Sequence, residues 1–381
     1  LWPEVVVELQ PIGSDSAAIV WEWRMWDHLI QDYDNTKQNF GVPANHPELF
    51  DLNYTWTPIA DWAHANSIDY NPTLDQIVIS LNFFDEFVII DHSTTTQEAA
   101  TSSGGNHGKG GDILFRYGNP RTFDRGDTSD QVNFRQHDVH WIKDGLTDGG
   151  KIMFFNNGNG RPEGAYSSAE IITPLVDGNG SFILEPDMTF APDSAEWIYT
   201  KPVNTDMFSP ITSGVQRLSN GNTLVCVGRD GYMFEINAAG NKVWEYQSPI
   251  NNSGILAQGD PVQGNRLLFK SKRYLPDFAG FVGRDLTPGA PIELNPDLSF
   301  CTLNIQERDK QEALVIYPNP VLDFLNIDVA VSDYDKVATI YDTYGRLVYQ
   351  NRVEASINVR DLESGVYVLL VGDKVGRFIK Q

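Results

Sequence analysis

Val243-Trp244-Glu245-Tyr246, closed by Ser248-Pro249, is a short run in which aromatic residues occupy alternate positions. Period-two placement sends successive side chains to opposite faces of a strand, and aromatic and β-branched residues favour that conformation. The run recurs as Ile19-Val20-Trp21-Glu22-Trp23, as Ile113-Leu114-Phe115-Arg116-Tyr117 before Gly118-Asn119-Pro120, and as Glu196-Trp197-Ile198-Tyr199 before Lys201-Pro202. With Trp21, Phe115, Trp197 and Trp244 as anchors the intervals are 94, 82 and 47 residues, two near-doubles of a 41–47-residue unit and one single unit. A second series interleaves: Gln76-Ile77-Val78-Ile79, Lys151-Ile152-Met153-Phe154, Asn222-Thr223-Leu224-Val225 and Asn265-Arg266-Leu267-Leu268, spaced by 75, 72 and 43. Short strands with turn chemistry between them and a repeat of this length predict the blades of a β-propeller. The fold class expected is all-β, with six or five blades and a small immunoglobulin-like β-sandwich behind them. A single β-sandwich with chance aromatic spacing is the competing reading. Helical periodicity is nearly absent, with one short turn or helix expected over Asp27–Asp34.

Composition agrees with strands and turns. Of 381 residues, 12% are aromatic, with nine Trp and fifteen Tyr, and 32 Gly and 21 Pro supply turns. The chain carries 28 Lys and Arg against 51 Asp and Glu, a formal charge of −23. Such a body repels nucleic acid and anionic membrane surfaces, and no Lys/Arg cluster of the kind phosphate binding needs stands out. An anionic substrate would therefore require a few Arg and His to reverse the field locally. No apolar run approaches the roughly 18 residues of a membrane span, the longest lying near Val366–Val371. Two cysteines, Cys226 and Cys301, exclude a disulfide scaffold and a CxxC metal site, and one bridge between them stays open. The opening Leu1-Trp2-Pro3 lacks Met and reads as processed or trimmed.

The repeat ends near 302. A propeller domain over 1–302 is expected, then a polar linker over 303–314 containing Glu307-Arg308-Asp309-Lys310, then a small antiparallel sandwich over 315–381. The last segment has short strands at Leu325-Asn326-Ile327, Lys336–Tyr341, Arg346–Tyr349, Ile357–Val359 and Val366–Val371, with turns at Tyr344-Gly345 and Ser364-Gly365. Its ordered motifs are Tyr317-Pro318-Asn319-Pro320, Leu325-Asn326-Ile327, Ile340-Tyr341-Asp342 with Gly345-Arg346, Leu362-Glu363-Ser364-Gly365-Val366-Tyr367 and the terminal Arg377-Phe378-Ile379-Lys380. In this order they resemble a type A sorting domain of the type IX secretion system. The resemblance implies that the type IX secretion machinery is a partner and that the protein is exported across the outer membrane of a Bacteroidota-type cell, to be released or held at the surface.

All seven His (28, 46, 64, 92, 107, 137 and 140) precede residue 141. His64 lies 13 residues before Ile77 and His137 lies 15 before Ile152, so each stands at or just before the strand expected to open a blade. Inner strands and their leading loops line a propeller's channel, where residues from successive blades converge. A satisfied structural His is the default for either one alone; the pair in register points to function. His137-Asp138-Val139-His140 suggests a metal site only if a turn brings residues three apart to one face, and a metal is not expected. The Gly104–Gly111 stretch lacks the strand-to-helix context of a phosphate loop and reads as a flexible loop near the channel mouth. Asp177-Gly178-Asn179-Gly180 lacks the later acidic ligands of a Ca²⁺ loop and reads as a turn. Arg161, alone in the polar loop Phe155-Asn156-Asn157-Gly158-Asn159-Gly160-Arg161-Pro162 that continues to Tyr166-Ser167, offers a fork for an oxyanion or a brace for the loop's own carbonyls.

Asp61-Trp62-Ala63-His64-Ala65-Asn66-Ser67-Ile68, Gln136-His137-Asp138, Phe155-Asn156-Asn157-Gly158 through Arg161 with Tyr166-Ser167, and Leu218-Ser219-Asn220-Gly221-Asn222-Thr223-Leu224 together resemble the bacterial arylsulfate sulfotransferases, which are six-bladed propellers. The resemblance spans roughly 1–300. It implies transfer of a sulfuryl group from a phenolic sulfate ester to a phenolic acceptor, without a nucleotide cofactor, through a sulfated His. His64, His137 and Arg161 would then clamp the sulfate oxygens, with His137 the first choice for nucleophile or general acid/base. Asn66, His140, Asn157, Tyr166 and Ser213 complete the expected substrate-binding set. One departure stands out: the family's sulfated His lies in a later blade, where the repeat count reaches Ser213, and this chain has no His after His140. A Ser hydroxyl is a poor nucleophile without a nearby base. Three readings follow: a transferase using another route, an exported module that binds a sulfated or anionic glycan or phenol without chemistry, and a hydrolase or lyase using His137 with Tyr166 or His140.

Overall fold

The computed structural model describes residues 1–54, 59–261, 266–296, 314–328, 333–334, 336–342, 346–372 and 374–381. Cys301, Asn265, the Tyr344-Gly345 turn and the expected linker, apart from Leu314, lie outside the described residues. The chain divides into two compact units, Leu1–Pro296 and Asp297–Gln381.

The first unit opens with a hairpin of β1 (Val5–Ile12) and β2 (Ser16–Arg24), followed by the short parallel pair β3 (Leu29–Ile30) and β4 (Phe50–Asp51). Three four-stranded antiparallel meanders come next. They are β5 (Ala65–Asn71), β6 (Gln76–Leu81), β7 (Glu86–Asp91) and β8 (Phe115–Tyr117); β9 (His137–Trp141), β10 (Ile152–Asn156), β11 (Ser168–Ile172) and β12 (Trp197–Tyr199); and β13 (Gly214–Arg217), β14 (Thr223–Val227), β15 (Tyr232–Ile236) and β16 (Lys242–Gln247). A minimal hairpin, β17 (Ile250–Asn251) and β18 (Gly254–Ile255), follows. The one α-helix among the described residues is Thr96–Ala99, held by a capping box in which the Thr95 hydroxyl accepts from the Glu98 amide.

The meanders pack face to face, and the sequence alternation explains how. On β10, Phe154 joins Val78, Phe87, Ile89, Phe115 and Tyr117 of the first sheet in one core. Its neighbours Met153 and Phe155 point the other way, into a core with Val215, Val225, Val227, Phe234 and Ile236 of the third. A sheet buried on both faces needs continuous apolar runs, which β6, β7, β10 and β14 supply as Ile77–Ile79, Phe87–Ile90, Ile152–Phe155 and Leu224–Val227. Each such buried Ile, Val or Phe contributes about 1.5–3 kcal/mol. The other face of the first sheet meets Trp21, Trp23, Met25, Phe50 and Trp62. Chain-ordered four-stranded sheets stacked this way are propeller blades.

Three members of each series lie in the blades, in a different phase from that expected and one blade apart in every case, so the 82 residues from Phe115 to Trp197 are a single blade and not two units. Phe115 and Trp197 lie on the fourth, outermost strands, and Trp244 on the fourth strand of the third meander. The Ile77, Ile152 and Leu224 runs are second strands and do not open their blades. Each blade opens instead with a more polar strand: β5 directly after His64, β9 with His137 and His140 on it, and β13 directly after Ser213. Trp21 sits in the two-stranded hairpin, and Arg266–Leu268 forms no strand. Over Asp27–Asp34 the short helical element is Met25–His28, in 3₁₀ form. The Gly-rich loop lies at the end of its sheet opposite His64: the His107 amide donates to Asp91 at 3.0 Å and its ring bonds Gln76, whereas His64 sits beside Asn82. The Asp177 turn closes as read, with the Asn179 amide on the Asp177 carboxylate at 2.8 Å.

In the second unit, β19 (Val315–Tyr317), β20 (Phe324–Asp328) and β23 (Ser356–Asn358) form one sheet. The other contains β21 (Val337–Asp342), β22 (Leu347–Arg352), β24 (Gly365–Val371) and β25 (Lys374–Lys380), in the order β22-β21-β24-β25. Leu325, Ile327, Ile340, Ile357, Leu369, Val371 and Phe378 fill the space between them, an alternating inward set as in any small sandwich. Asn319 of the Tyr-Pro-Asn-Pro motif clips the last strand, accepting from the Ile379 amide at 2.9 Å and donating to the Arg377 carbonyl at 3.0 Å.

Candidate functional site

Neighbouring blades meet along their first strands. The Val139 amide donates to Ser67 Oγ and the Trp141 amide to Asp69 Oδ2, both at 2.9 Å, tying β9 to β5. The Val215 amide donates to Asp138 Oδ2 at 3.0 Å, tying β13 to β9. Beyond β13 runs the segment Leu268–Arg273: Ser213 N–H reaches the Phe269 carbonyl at 2.8 Å, and Gln216 and Arg273 exchange two bonds at 2.7 and 2.9 Å. Four successive inner segments thus start with His64, His137, Ser213 and Phe269. The backbone is unusual there. His64, Arg135, Asp138, Thr212 and Ser213 all have positive φ, between 55° and 89°, a region that non-glycine residues rarely adopt and that clusters at functional sites.

His64 is held from behind by Asp61, whose Oδ2 lies 2.6 Å from Nδ1, and its ring stacks on Phe83 with centroids 4.6 Å apart. The Asp61 bond fixes the proton on Nδ1 and leaves a lone pair on Nε2. That side chain is 46% exposed, and nothing among the described residues bonds its Nε2. His137 is the opposite case. It is buried, its Nδ1–H donates to Asn157 Oδ1 at 2.8 Å and faces the Arg135 carbonyl at 3.0 Å, and its Nε2 accepts from the Thr212 amide at 3.2 Å. Burial pushes its pKa below the ordinary value, against the two hydrogen bonds that favour the charged form, and nearby His64 lowers it further. His137 is therefore neutral at pH 7.

Asn157 organises this corner, because its amide nitrogen also donates to the carbonyls of Ser209 (2.6 Å) and Thr212 (2.8 Å). Asn66 donates to the Gln136 carbonyl at 2.7 Å, leaving Oδ1 buried without a partner. His140 bonds the Asp138 carbonyl through Nδ1 at 2.6 Å, and burial lowers its pKa despite the Asp138 carboxylate nearby. Ser213 is buried, with its hydroxyl accepting the Gly228 amide at 2.9 Å. Arg161 lies apart from the histidines. Its guanidinium sits over the rings of Tyr166 (4.5 Å) and Phe134 (5.3 Å), bonds Ser168 at 3.2 Å and pairs with buried Glu170 at 3.6 Å. Its Nε is buried without a partner.

Three groups escaped the reading of residues. Asp138 is a buried carboxylate gripped by Lys270 Nζ at 3.0 Å and Lys272 Nζ at 2.9 Å. Burial alone would raise its pKa, but His140, Lys272 and Lys270 outweigh it and hold it below the usual carboxylate range. Lys270-Ser271-Lys272-Arg273 is a basic cluster that was visible in the sequence and contradicts the reading that none exists. Phe269, 54% exposed, meets the His137 ring edge-on at 6.2 Å. Among the described residues no group of three or more His, Cys, Asp or Glu is placed to hold a metal. Cys226 is buried beneath this floor, and its pairing with Cys301 falls outside the described residues.

The sequence model of the arylsulfotransferase (ASST) family matches residues 5–255, and that of a secretion system C-terminal sorting domain matches 315–381. The tail therefore marks an exported protein, secreted or held at the cell surface, and type IX secretion machinery is its partner. No helix among the described residues is long and apolar enough to cross a membrane. No curated protein matches the chain. Among solved structures, virginiamycin B lyase from Staphylococcus aureus is 11% identical over 84% of this chain and 68% of its own, with a TM-score of 0.27. BamB from Moraxella catarrhalis is 8% identical over 97% and 74%, with a TM-score of 0.28. Neither superposes closely enough to bear on this site.

Proposed function

This chain belongs to the arylsulfotransferase (ASST) family, and we propose that it is an exported sulfotransferase that moves a sulfuryl group from a phenolic sulfate ester to a phenolic acceptor in the propeller channel. The observation that carries the proposal is the Asp61–His64 pair, which presents an exposed imidazole lone pair within the electrostatic reach of neutral His137. In the first step His64 Nε2 attacks sulfur, the S–O bond to the aryl group breaks, and phenolate leaves. Asp61 stabilises the positive charge that develops on the ring, as an orienting carboxylate does for any nucleophilic imidazole. In the second step the acceptor phenol oxygen attacks sulfur, the N–S bond breaks and its electrons return to Nε2. The acceptor's proton ends on the departed phenolate, so donor and acceptor exchange SO₃ for H with no other reactant.

We assign bond formation to His64 because the His137 Nε2 already accepts a backbone N–H. His137 and Asn157, whose polar groups are spent on each other and on the backbone of Thr212 and Ser209, position the corner beside His64, with Asn66 and His140 supporting the strands that carry it. Arg161 and Tyr166 form the loop-side wall, where the free Nε of Arg161 is the donor left for an oxyanion. No metal or nucleotide enters either step.

Ser213 favours a second reading. Its buried hydroxyl takes the Gly228 N–H and, among the described residues, bonds no base, so the position of the family's sulfated His offers a poor nucleophile here. If His64 does not replace it, the protein is an exported module that holds a sulfated or anionic phenol or glycan unchanged. Incubation with 4-nitrophenyl sulfate, with and without excess phenol, separates these outcomes. Phenol-dependent nitrophenolate release is expected, with sulfate trapped on the peptide containing His64. Release without phenol would indicate a hydrolase, and saturable binding without release the module.

A further inference from the structure

The protein is strongly acidic, and several cations of the described propeller have a carboxylate of their own: Arg116 has Glu86 at 2.7 Å and Arg273 has Glu235, while Arg217 and Lys151 share Asp148 at 2.9 and 3.1 Å but Lys151 also reaches Glu196 at 2.8 Å. Lys270 and Lys272 share the single carboxylate of Asp138, and neither pairs with a second one among the described residues. The other groups facing this cluster do not cancel the surplus. His140 is kept neutral by burial, and Asp69, which lies toward His140, spends Oδ2 on the Trp141 amide at 2.9 Å and makes no ion pair with either lysine. Lys272 also donates to the Val215 carbonyl at 3.1 Å. Among the described residues Lys270 donates to Asp138 alone, and its side chain is 37% exposed, which leaves ammonium donors for a ligand.

Position supplies the second half of the argument. Phe269 touches His137 and Lys270 touches Asp138, and each pair is consecutive in the chain. Phe269 and Lys270, both partly exposed, therefore stand at adjacent chain positions along the His137–Asp138 step. Gly214 makes room for the crossing. A Cβ at that position would stand 2.6 Å from Asp138 Oδ2 and 3.1 Å from the Lys270 Cβ.

We infer that Lys270, backed by Lys272, binds a second anionic group on the substrate, so that the preferred ligand is an aryl sulfate whose ring also bears a carboxylate or another sulfate. The inference rests on the sulfate-ester reading above. The ring lies against Phe269, the transferable sulfate at the histidines and the second anion at Lys270, where a charge-assisted hydrogen bond replaces water.

Calorimetric titration of the full chain tests it with two isosteric probes, 4-carboxyphenyl sulfate and 4-carbamoylphenyl sulfate, which differ by one charge, and with 1,4-phenylene disulfate to tell carboxylate from sulfate. The carboxylate or the disulfate should bind about tenfold more tightly than the amide. That preference should fall below about threefold in Lys270→Met, return in Lys270→Arg, and shrink with added salt. Equal affinities in the unaltered protein, or a preference that survives Lys270→Met and Lys272→Met, would overturn the inference while leaving the sulfate-ester reading intact. Failure of every aryl sulfate to bind would remove that reading and the inference together. Should Lys270→Met not fold, the carboxylate-against-amide comparison in the unaltered protein decides by itself.

Discussion

At the residue scale, the two histidines have opposite environments, and that contrast makes their roles separable. His64→Ala should abolish sulfuryl transfer, with turnover reduced by at least about 10³-fold, because it removes the bond-forming nitrogen. Asp61→Asn should cost less, roughly 10–10²-fold, since it unsettles the tautomer and leaves the ring in place. Initial-rate assays on 4-nitrophenyl sulfate check both; a His64→Ala protein with unaltered turnover would return the role to His137. Asp138 makes a stability prediction. Its pKa is lower in the folded chain than in the unfolded one, so its contribution is fully present above the ordinary carboxylate pKa near 3.9 and is lost as pH falls through the folded value. Asp138→Asn should destabilise the propeller by ~3–5 kcal/mol at pH 7, leaving two ammonium groups without their carboxylate, and should flatten the acid limb of its stability curve. Thermal melts from pH 2 to 7 read both effects.

At the element scale, the first strands do two jobs that conflict. They close the seams between blades through side chains of Ser67, Asp69 and Asp138 bonded to the next strand's amides, and they also carry or directly follow the residues of the candidate site. Apolar residues would satisfy neither job, which is why these strands lack the continuous hydrophobic signal of β6 and β10. The same geometry makes Gly214 irreplaceable. Gly214→Ala should cost about 1–3 kcal/mol by overpacking and weaken binding of the dianionic probe, because the added carbon separates Asp138 from Lys270. Denaturant melts and the calorimetric titration check this. Positive φ values at His64 and Ser213 stand directly before β5 and β13, and the one at Asp138 sits where the β9–β10 register shifts.

At the scale of the whole molecule, charge and export are joined. A body with a net charge of −23 stays soluble outside the cell but repels an anionic substrate, so attraction must be local and built from few cations. The two units have separate cores, one spread between the blades and one inside the tail sandwich. They should therefore unfold in separate transitions. Leu369→Ala, at a fully buried position of the tail core, should lower one calorimetric transition by about 2–5 kcal/mol and leave the other in place.

What the sequence determined by itself was whatever depends on local alternation and order. Phe154 beside Met153 and Phe155 announces a strand buried on both faces, and Tyr317-Pro318-Asn319-Pro320 with its following motifs announces the tail. Aromatic alternation announced blades but not their length: Phe115, Trp197 and Trp244 stand on the fourth strands of consecutive sheets, so intervals of 82 and 47 residues are each one blade and the 41–47-residue unit does not hold. His64 and His137 were legible because their positions repeat. The phase of the blades was not, since a strand's rank in its sheet is set by which neighbours it pairs with and alternation is the same at every rank. Only the tertiary structure decided that His64 keeps a free lone pair while His137 loses its own to Thr212, and that Arg161 spends its charge on Glu170. It alone joined Asp138 to Lys270 across 132 residues of chain. Such pairings arise where distant strands pack side by side, and charge placed by packing leaves no period in the sequence.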